Sequence, residues 1–351
     1  RGLTEEQWKK YAIADNTASD FSTWDFEILE ELAQEVDYSE FFPDDKLNEL
    51  LEQLGKGESF GVGEQGEENE EEIAELLDKV DEIESRVKLG DIWQLGRHRI
   101  CAGDSTIEKN VRALLGDNRC QMCWTDPPYN VNYDPEARVS SFSQERLANP
   151  IGKIANDHMG DDEFFLFLLN AYSGINIALE EGCPIYISHA DTMGHHFRNA
   201  FMSQPWKLQS CLIWKKTVLV FGRADYHWMH EPILYGWKEG AAHRWVGDRK
   251  QTSILEFATD HYDKENCDTD GYVHSCQKPT TLISYCIENS SNKGDRIYDP
   301  FLGSGSTLIA SEKTGRETFG FELSEQYCEI ILQRFSKLTG IEPKLIGRIS
   351  N

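Results

Sequence analysis

Short apolar runs recur from residue 90 to the end of the chain, and each run stops at a residue that favours turns. Such runs are typical of buried strands. They predict one strand that ends at residue 102 and further strands over residues 122–124, 184–188, 208–214, 297–299 and 318–321. Between them, apolar residues three and four positions apart predict helices over residues 108–115, 164–179 and 280–290, and a helix that opens at residue 307. This alternation predicts an α/β domain with a parallel sheet.

The first 89 residues follow a different pattern. Apolar spacing predicts a small helical appendage over residues 1–55, whereas residues 56–69 are rich in Gly and Glu and are typical of a linker. After the linker, apolar residues at helical spacing form one stripe: Ile73, Leu76, Leu77, Val80, Ile83 and Val87. The stripe lasts only about two heptads, which favours a helix packed on its own domain over a dimerising coiled coil. A homodimer stays open as an alternative.

The formal net charge of −26 is distributed unevenly along the 351 residues. Residues 1–90 hold 27 Asp and Glu against 8 Lys and Arg, a net −19, which leaves −7 for the remaining 261 residues. The acidity therefore belongs mainly to the N-terminal part. Because the rest of the chain is not basic overall, a nucleic-acid contact has to come from a local basic patch and should depend strongly on salt.

Cysteine usage and hydropathy indicate the compartment. The nine cysteines are an odd number without a repeating spacing, which favours a reducing environment. No stretch approaches the roughly eighteen apolar residues of a membrane span, so we expect a cytoplasmic protein without a membrane partner. The one close pair is Cys120-x-x-Cys123, and Cys123 falls in a predicted core strand, so we predict no metal site.

The apolar run at residues 122–124 leads into Asp126-Pro127-Pro128-Tyr129. Two consecutive prolines cannot continue a sheet ladder and fix an extended turn. The turn puts an acceptor and an aromatic ring at the carboxyl end of a strand, where open α/β sheets bind their ligands. This arrangement suits a planar base that bears an exocyclic amine. The Asp126 carboxylate and the Pro127 carbonyl can each accept one hydrogen of the amine, while the Tyr129 ring stacks on the base. The alternative is a Pro-Pro turn without a chemical role.

A second motif runs from a strand end through a glycine-rich loop into a helix, with Asp299, Phe301, Gly303, Gly305 and Thr307 in that order. Glycines at such a turn let backbone amides approach a ligand, and the helix N-terminus adds a partial positive charge. Glu322 ends the next predicted strand about twenty residues later, where nucleotide-binding α/β units bind ribose hydroxyls with an acidic residue.

Together the two motifs resemble those of the S-adenosylmethionine-dependent amino-methyltransferases of DNA. The Pro-Pro-Tyr motif precedes the glycine-rich loop, which is the circularly permuted order of the beta group of that family. The resemblance covers roughly residues 90–340. It implies a Rossmann-like methyltransferase sheet with helices on both faces, S-adenosylmethionine as the cofactor and DNA as the substrate.

The resemblance also implies residue roles. The catalytic motif is then Asp126, Pro127, Pro128 and Tyr129. For Tyr129 the role belongs to the ring, and the hydroxyl has none. Asp299, Phe301, Gly303, Gly305, Thr307 and Glu322 become cofactor contacts, and a side chain at Gly305 is expected to block the cofactor.

For two further residues the sequence leaves two roles open, a contact with the cofactor or a structural role at the start of a helix. Asp104, in Gly103-Asp104, resembles the element that reaches the adenine amine of the cofactor, but Asp is also a common N-cap and a helix is predicted from residue 108. Lys278 resembles the Lys-Pro lead-in to the cofactor loop, but Lys278-Pro279 can simply start the helix over residues 280–290.

The identity of the target base depends on one residue. In the resembling group an Asp at the first position of the Pro-Pro-Tyr motif accompanies methylation of adenine, and a Ser accompanies methylation of the cytosine amine. Asp126 thus implies transfer to the 6-amino group of adenine after the base has rotated out of the duplex. Transfer to the 4-amino group of cytosine is the alternative, and a non-catalytic cofactor-binding subunit is a third.

Basic and aromatic residues are interleaved over residues 215–273, which is typical of a region that contacts phosphates and bases. We expect DNA contacts from Arg223, Arg244, Arg249 and Lys250. The appendage resembles the tail of ParB-type domains fused ahead of some phage and bacterial DNA methylases, which implies a bacterial or phage-encoded enzyme and leaves a partner restriction endonuclease open. The predicted organisation is appendage 1–55, acidic linker and helix 56–89, catalytic half 90–214, target-recognition region 215–273 and cofactor-binding half 274–351.

Overall fold

The structure, a computed structural model, describes residues 73, 76, 77, 79–131, 158–220, 225–258 and 278–349, without the side chains of residues 218–220. The predicted helical appendage, the predicted linker and Arg223 lie outside the described residues. The predicted division into five regions is not tested by the described part and stays a prediction.

The described residues contain ten strands, namely β1 (Asp91–Leu95), β2 (His98–Ala102), β3 (Met122–Thr125), β4 (Pro184–Ser188), β5 (Trp206–Val220), β6 (Trp228–Lys238), β7 (Ile254–Glu256), β8 (Arg296–Asp299), β9 (Glu317–Glu322) and β10 (Lys344–Arg348). They form one sheet in the order β10-β1-β2-β9-β8-β3-β4-β6-β5-β7. Strands β2, β9, β8, β3 and β4 run parallel. Strand β6 is antiparallel to both of its neighbours, and β1 is antiparallel to β2 and to β10.

The same part of the chain contains six α-helices, namely α1 (Glu108–Leu115), α2 (Asp161–Ala178), α3 (Gly194–Met202), α4 (Thr280–Ser290), α5 (Ser306–Lys313) and α6 (Glu325–Thr339). Helices α1 and α4 have the predicted bounds. Helix α2 starts three residues before the predicted position, because its first turn is acidic and carries no apolar periodicity. Acidic side chains there complement the positive end of the helix dipole.

Helices cover both faces of the sheet, as predicted. Residues of α1, α2 and α3 share one apolar cluster with Cys123, whereas residues of α4 share another with Met122 and Trp124. Neighbouring residues of one strand thus point to opposite helix layers. Because the central parallel strands are buried on both faces, they appear in the sequence as short continuous apolar runs. The predicted Rossmann-like α/β fold is confirmed.

The sheet continues through the start of the predicted target-recognition region. The predicted strand over residues 208–214 is the middle of the longer strand β5, which runs through residue 215 to Val220. Strand β6 follows it along the chain and is inserted between β4 and β5. The two strands form a long antiparallel hairpin, with Trp214 opposite Glu231 and Val220 opposite Trp228. Its outer end projects past the carboxyl end of β4, where Ser188 pairs with Ile233.

Within the described ranges no helix combines the length and the apolar character needed to cross a membrane. The same ranges contain no group of three His, Cys, Asp or Glu side chains that is placed to hold a metal ion.

Candidate active site

Four acidic residues lie at the carboxyl ends of four adjacent strands. Along the sheet these are Asp104 after β2, Glu322 at the end of β9, Asp299 at the end of β8 and Asp126 after β3. Strand β3 continues through α2 to β4 on one side, whereas β8 continues through α5 to β9 on the other side. The chain therefore reverses its winding direction between β8 and β3, and open α/β sheets bind ligands in the crevice at such a point.

The turn after β3 is fixed at both ends. Strand β3 is buried along its whole length and stops at Thr125, just before the two prolines. Asn130 has a φ of 57°, a conformation that Asn tolerates better than most residues with a side chain. Its side-chain carbonyl accepts a hydrogen bond from the Met159 N–H (2.6 Å), and its amide donates to the Met159 carbonyl (3.0 Å).

Both carboxylate oxygens of Asp126 have a donor. The Tyr129 hydroxyl donates to Oδ1, and the Lys278 ammonium donates to Oδ2 over 2.6 Å. Each oxygen of an ionised carboxylate can accept about two hydrogen bonds, so capacity remains for a further donor. The Asp126 side chain is 26% exposed, and such a donor can therefore reach it. The turn thus presents an oriented acceptor.

Glu231 at the start of β6 joins this group. Its carboxylate lies 3.1 Å from the Lys278 ammonium and also forms an ion pair with Lys216 of β5. The Tyr129 hydroxyl lies 3.2 Å from Glu231 Oε2 and 2.9 Å from the Ser188 hydroxyl at the end of β4. Strands β3, β4, β5 and β6 and the residues before α4 therefore converge on the Pro-Pro turn.

These contacts fix the protonation states. Burial alone would lower the pKa of Lys278, but the carboxylates of Asp126 and Glu231 hold it well above its ordinary value. Burial would raise the pKa of Glu231, yet Lys278 and Lys216 lower it to about 2. Burial, and after it the charge of Asp126, raises the pKa of Tyr129 well above its ordinary value. At neutral pH Lys278 is an ammonium, Glu231 is a carboxylate and Tyr129 is a neutral phenol.

Asp299 ties the glycine-rich loop to its neighbours. Its Oδ1 accepts hydrogen bonds from the Thr125 hydroxyl (2.9 Å) and the Phe301 N–H (3.0 Å), and its Oδ2 accepts from the Thr307 hydroxyl (2.6 Å). Burial raises its pKa to about 6, against hydrogen bonds that lower it. Asp299 thereby links the end of β3, the loop and the first turn of α5.

The two loop glycines have different surroundings. Gly303 has a φ of 52°, and a Cβ added there would meet nothing within 4 Å. Gly305 has a φ of 92°, and a Cβ added there would lie 2.9 Å from Cγ1 of the buried Ile331 in α6. The open side of the loop is therefore at Gly303, whereas Gly305 packs against the domain.

Glu322 closes the loop from the neighbouring strand. Its carboxylate accepts hydrogen bonds from the N–H groups of Gly303 and Ser324, each over 2.8 Å. Desolvation raises its pKa to about 7, although these backbone hydrogen bonds oppose the shift. An acidic residue beside an open glycine turn and a helix N-terminus is the arrangement that nucleotide-binding α/β units use for a ribose and its neighbouring groups.

The other predicted cofactor contacts lie around the same crevice. Asp104 Oδ1 accepts from both the N–H and the hydroxyl of Thr106 (2.8 and 2.7 Å), so it forms a local turn, while Ile107 is the N-cap of α1. The alternative role of Asp104 as that N-cap is therefore wrong. Phe301 is half-buried, with its ring centroid 5.7 Å from that of Phe167 in α2. Lys278 faces Asp126 and Glu231, and its predicted contact with the cofactor stays a prediction.

The three predicted DNA contacts that the structure describes, Arg244, Arg249 and Lys250, are not gathered at this edge of the sheet. The Arg244 guanidinium forms an ion pair with Glu180 (2.7 Å), and the backbone N–H of Arg244 donates to the Gly182 carbonyl, beside the amino end of β4. That is the edge of the sheet opposite to Asp126. Arg249 and Lys250 are exposed and follow Gly247, whose N–H donates to the Asn289 carbonyl in the last turn of α4.

Aromatic residues are exposed instead at the end of the β5–β6 hairpin that projects past the active-site edge. Tyr226 is 90% exposed and Trp228 is 42% exposed. Lys215 lies nearby, opposite His230 in the hairpin, and is paired with Glu256 at 2.8 Å.

Sequence reasoning missed Glu231, Lys216 and Ser188, and it gave the Tyr129 hydroxyl no role. The sequence 230–236 predicts a turn into a buried strand, and β6 confirms the strand. A carboxylate directly before Pro232 at the start of that strand was the available signal. Its meaning depends on β6 lying next to β4, which local patterns do not reveal.

The fold and the site define an α/β protein that has, at the switch point of its parallel central strands, an oriented carboxylate beside a glycine-rich loop. A protein-family model described as DNA methylase matches residues 120–333, more than half of the chain. The chain therefore belongs to the DNA methylase family. Members of this family methylate an exocyclic amine, at N6 of adenine or N4 of cytosine.

Individual relatives agree with this assignment. The Type II methyltransferase M.HpaI of Haemophilus parainfluenzae is 32% identical over 267 residues, which cover 66% of this chain and 74% of that protein. The DNA adenine methyltransferase YhdJ of Escherichia coli (strain K12) is 23% identical over 261 residues, which cover 67% and 81%. The structure of PvuII DNA methyltransferase, described as cytosine-N4-specific, matches with a TM-score of 0.50 at 12% identity over 73% of this chain and 98% of that chain.

The likeness to the PvuII enzyme supports the fold alone. The predicted resemblance to amino-methyltransferases is confirmed at the level of the family. Membership of the circularly permuted beta group stays a prediction, and so does the resemblance of the N-terminal appendage to a ParB-type tail.

Proposed function

We propose that this DNA amino-methyltransferase transfers a methyl group from S-adenosylmethionine to the 6-amino group of adenine in DNA. The observation that carries the proposal is the Asp126 carboxylate, which lies at the switch point with one donor on each oxygen and remains accessible. An acceptor in this state favours a substrate that brings its own N–H groups, such as an exocyclic amine.

The crevice fits S-adenosylmethionine. The cofactor supplies, when bound, a methyl group on a positively charged sulfur that reacts with an amine. Open space at Gly303 admits a ligand close to the backbone, and Glu322 offers acceptors for ribose hydroxyls beside it. Asp299 and Thr307 keep the loop and the start of α5 in this shape, and we assign Gly305 to the same scaffold.

On the other side of the crevice, the Pro-Pro turn holds the base. A base inside a duplex cannot reach the crevice, so it has to rotate out of the stack. We assign the Asp126 carboxylate and the Pro127 carbonyl to the two amine hydrogens and the Tyr129 ring to the face of the base. The amine lone pair is delocalised into the base, so two acceptors that favour a pyramidal nitrogen raise its nucleophilicity. The proton released from the amine leaves toward these acceptors or water.

Adenine is favoured over cytosine by Asp126, since an Asp at this position accompanies adenine methylation in the resembling group. The alternative target is the 4-amino group of cytosine, the other exocyclic amine that members of this family methylate. Either acceptor can hold either amine, so the physics of the hydrogen bonds does not choose between the bases.

For DNA binding, we assign a role to the exposed aromatics Tyr226 and Trp228, at the end of the hairpin that projects past the carboxyl end of β4. Aromatic rings in such a position stack on bases. Arg249 and Lys250 stay predicted phosphate contacts, and a homodimer and a partner endonuclease stay predictions of the sequence.

The experiment that tests the proposal is incubation with isotope-labelled S-adenosylmethionine and unmethylated bacterial DNA, followed by digestion to nucleosides and mass spectrometry. We expect the label on 6-methyladenine. Label on 4-methylcytosine would support the alternative, and cofactor binding without label on any nucleoside would contradict catalysis on DNA.

A further inference from the structure

Asp126 belongs to a group of four charged side chains that pair with one another, namely Asp126, Lys278, Glu231 and Lys216. The Lys278 side chain is 7% exposed, and its ammonium lies between Asp126 Oδ2 at 2.6 Å and Glu231 Oε2 at 3.1 Å. Glu231 is paired on its other oxygen with Lys216, whose side chain is 15% exposed. The members of this group come from the Pro-Pro turn, the two strands of the hairpin and the residue before Pro279.

The charges of the group balance, since two carboxylates face two ammonium groups. A buried ion pair is costly to break, because removal of one partner leaves the other charge without compensation. Lys278 is paired with both carboxylates, more closely with Asp126 (2.6 Å) than with Glu231 (3.1 Å), so loss of Glu231 would leave Asp126 as its one remaining carboxylate in this group. The position of Asp126 is thus coupled to a residue on β6 that does not touch it.

We infer that Lys278 and Glu231 are positioning residues for Asp126, with Lys278 fixing the carboxylate and Glu231 fixing Lys278. This inference rests on the proposed function, since it assigns the two residues to the alignment of the acceptor that receives the amine. Lys278 occupies one acceptor direction on Oδ2, and the Tyr129 hydroxyl occupies one on Oδ1. Each oxygen keeps capacity for a further hydrogen bond, and at 26% exposure the Asp126 side chain can be reached by an amine.

Proton relay is the competing role for this group. Asp126, the Tyr129 hydroxyl and Glu231 do form a continuous path, with 3.2 Å between the hydroxyl and Glu231. However, Glu231 has a pKa of about 2 beside its two ammonium partners and is therefore a poor proton acceptor at neutral pH. Lys278 is already protonated and accepts no proton. Positioning is the role that both the geometry and the charges support.

The test is a double-mutant cycle on the full chain with Glu231→Gln, Lys278→Met and the combined variant, and with Lys278→Arg as a conservative replacement. Glu231→Gln is expected to lower kcat about 10- to 100-fold, the cost of a small misalignment of reacting groups. KM for S-adenosylmethionine should stay within about twofold in Glu231→Gln, because the contacts of Glu231 are with Lys216, Lys278 and Tyr129 and not with the glycine-rich loop. Lys278→Arg should recover part of the kcat lost in Lys278→Met.

The cycle distinguishes action through Lys278 from an independent effect. If Glu231 acts through Lys278, the combined variant is no slower than Lys278→Met alone, whereas independent effects multiply. Glu317→Gln is the matched control, since Glu317 pairs with Arg296 at 3.0 Å at the opposite edge of the sheet. It should keep the wild-type kcat.

Several outcomes would overturn the inference: a wild-type kcat in Glu231→Gln, multiplied effects in the combined variant, or a loss that falls on KM for the cofactor. If Lys278→Met does not fold, Glu231→Gln and Lys278→Arg decide alone, with circular dichroism to confirm that each is folded. A wild-type protein that transfers no methyl group would contradict the proposed function instead, so the two failures are distinguishable.

Discussion

Gly303 and Gly305 are two residues apart in the same loop, yet alanine should have different effects at the two positions. Both glycines have a positive φ, at 52° and 92°. An added Cβ meets open space at Gly303 and lies 2.9 Å from the Ile331 side chain at Gly305. We therefore predict that Gly305→Ala mainly destabilises the fold, whereas Gly303→Ala mainly weakens cofactor binding.

The magnitudes follow from these surroundings. A left-handed conformation costs a residue with a Cβ about 1–2 kcal/mol, and alanine recovers about 0.4–1 kcal/mol by restricting the unfolded chain. These contributions apply to both variants. Gly305→Ala adds the cost of displacing Ile331 in a packed core, about 1–3 kcal/mol. For a domain of this size that difference in the free energy of unfolding lowers Tm by about 2–12 °C more than Gly303→Ala does.

The assay combines thermal unfolding followed by circular dichroism with calorimetric titration of S-adenosylmethionine. Gly303→Ala should lose at most about 6 °C in Tm. It should lose about tenfold or more in cofactor affinity, since its methyl group points into the space proposed for the ligand. Gly305→Ala should have the lower Tm of the two. Equal Tm values, or wild-type affinity in Gly303→Ala, would refute this interpretation of the loop.

Four further predictions address the rest of the site. Asp126→Ala should abolish methyl transfer and leave the calorimetric affinity for the cofactor nearly unchanged; a parallel loss of affinity would show that the acceptor was misassigned. Tyr129→Phe should lower kcat about tenfold in the transfer assay, because Asp126 Oδ1 loses its hydroxyl donor, and an unchanged kcat would leave a role to the ring alone. Because the pKa of Glu322 is raised to about 7, the carboxylate becomes protonated as the pH falls below 7, so cofactor affinity should fall up to about tenfold per pH unit there. Glu322→Gln should remove that dependence, and the same slope in both proteins would contradict the assignment. Trp228→Ala should weaken DNA binding about tenfold in a fluorescence anisotropy titration, more than Arg244→Ala does, and the reverse order would place the DNA at the other edge of the sheet.

Local patterns were sufficient for much of the fold. The bounds of α1 and α4, the apolar strand before Asp126 and the strand that ends at Glu322 follow from periodicity and from the turn residues that interrupt it. These elements are buried on one or both faces, so burial leaves a direct trace in the sequence. Polar first turns leave no such trace, and the start of α2 was therefore predicted too late.

The site was predictable where neighbouring residues in the chain form it. The Pro-Pro turn and the glycine-rich loop are such segments, and the structure brings them together through the hydrogen bond between Thr125 and Asp299. The group of four charged side chains was not predictable, because Lys278 is 152 residues away from Asp126 in the chain and Glu231 reaches the site from an antiparallel strand. Nothing in the local sequence of β6 fixes its place between β4 and β5. At Gly305 an added Cβ would point toward Ile331 and not toward the space proposed for the ligand, and this direction likewise depends on how α6 packs.

The most direct test of the proposed chemistry compares methyl transfer by the wild type and by Asp126→Asn on the same unmethylated DNA, with each methylated nucleoside quantified by mass spectrometry. Asn keeps the size of Asp126 but exchanges one acceptor oxygen for a donor, so it should bind the cofactor and fail to hold the amine. We expect 6-methyladenine from the wild type and essentially none from Asp126→Asn. Methylated adenine at the wild-type rate from Asp126→Asn, or methyl groups on cytosine alone, would contradict the proposal.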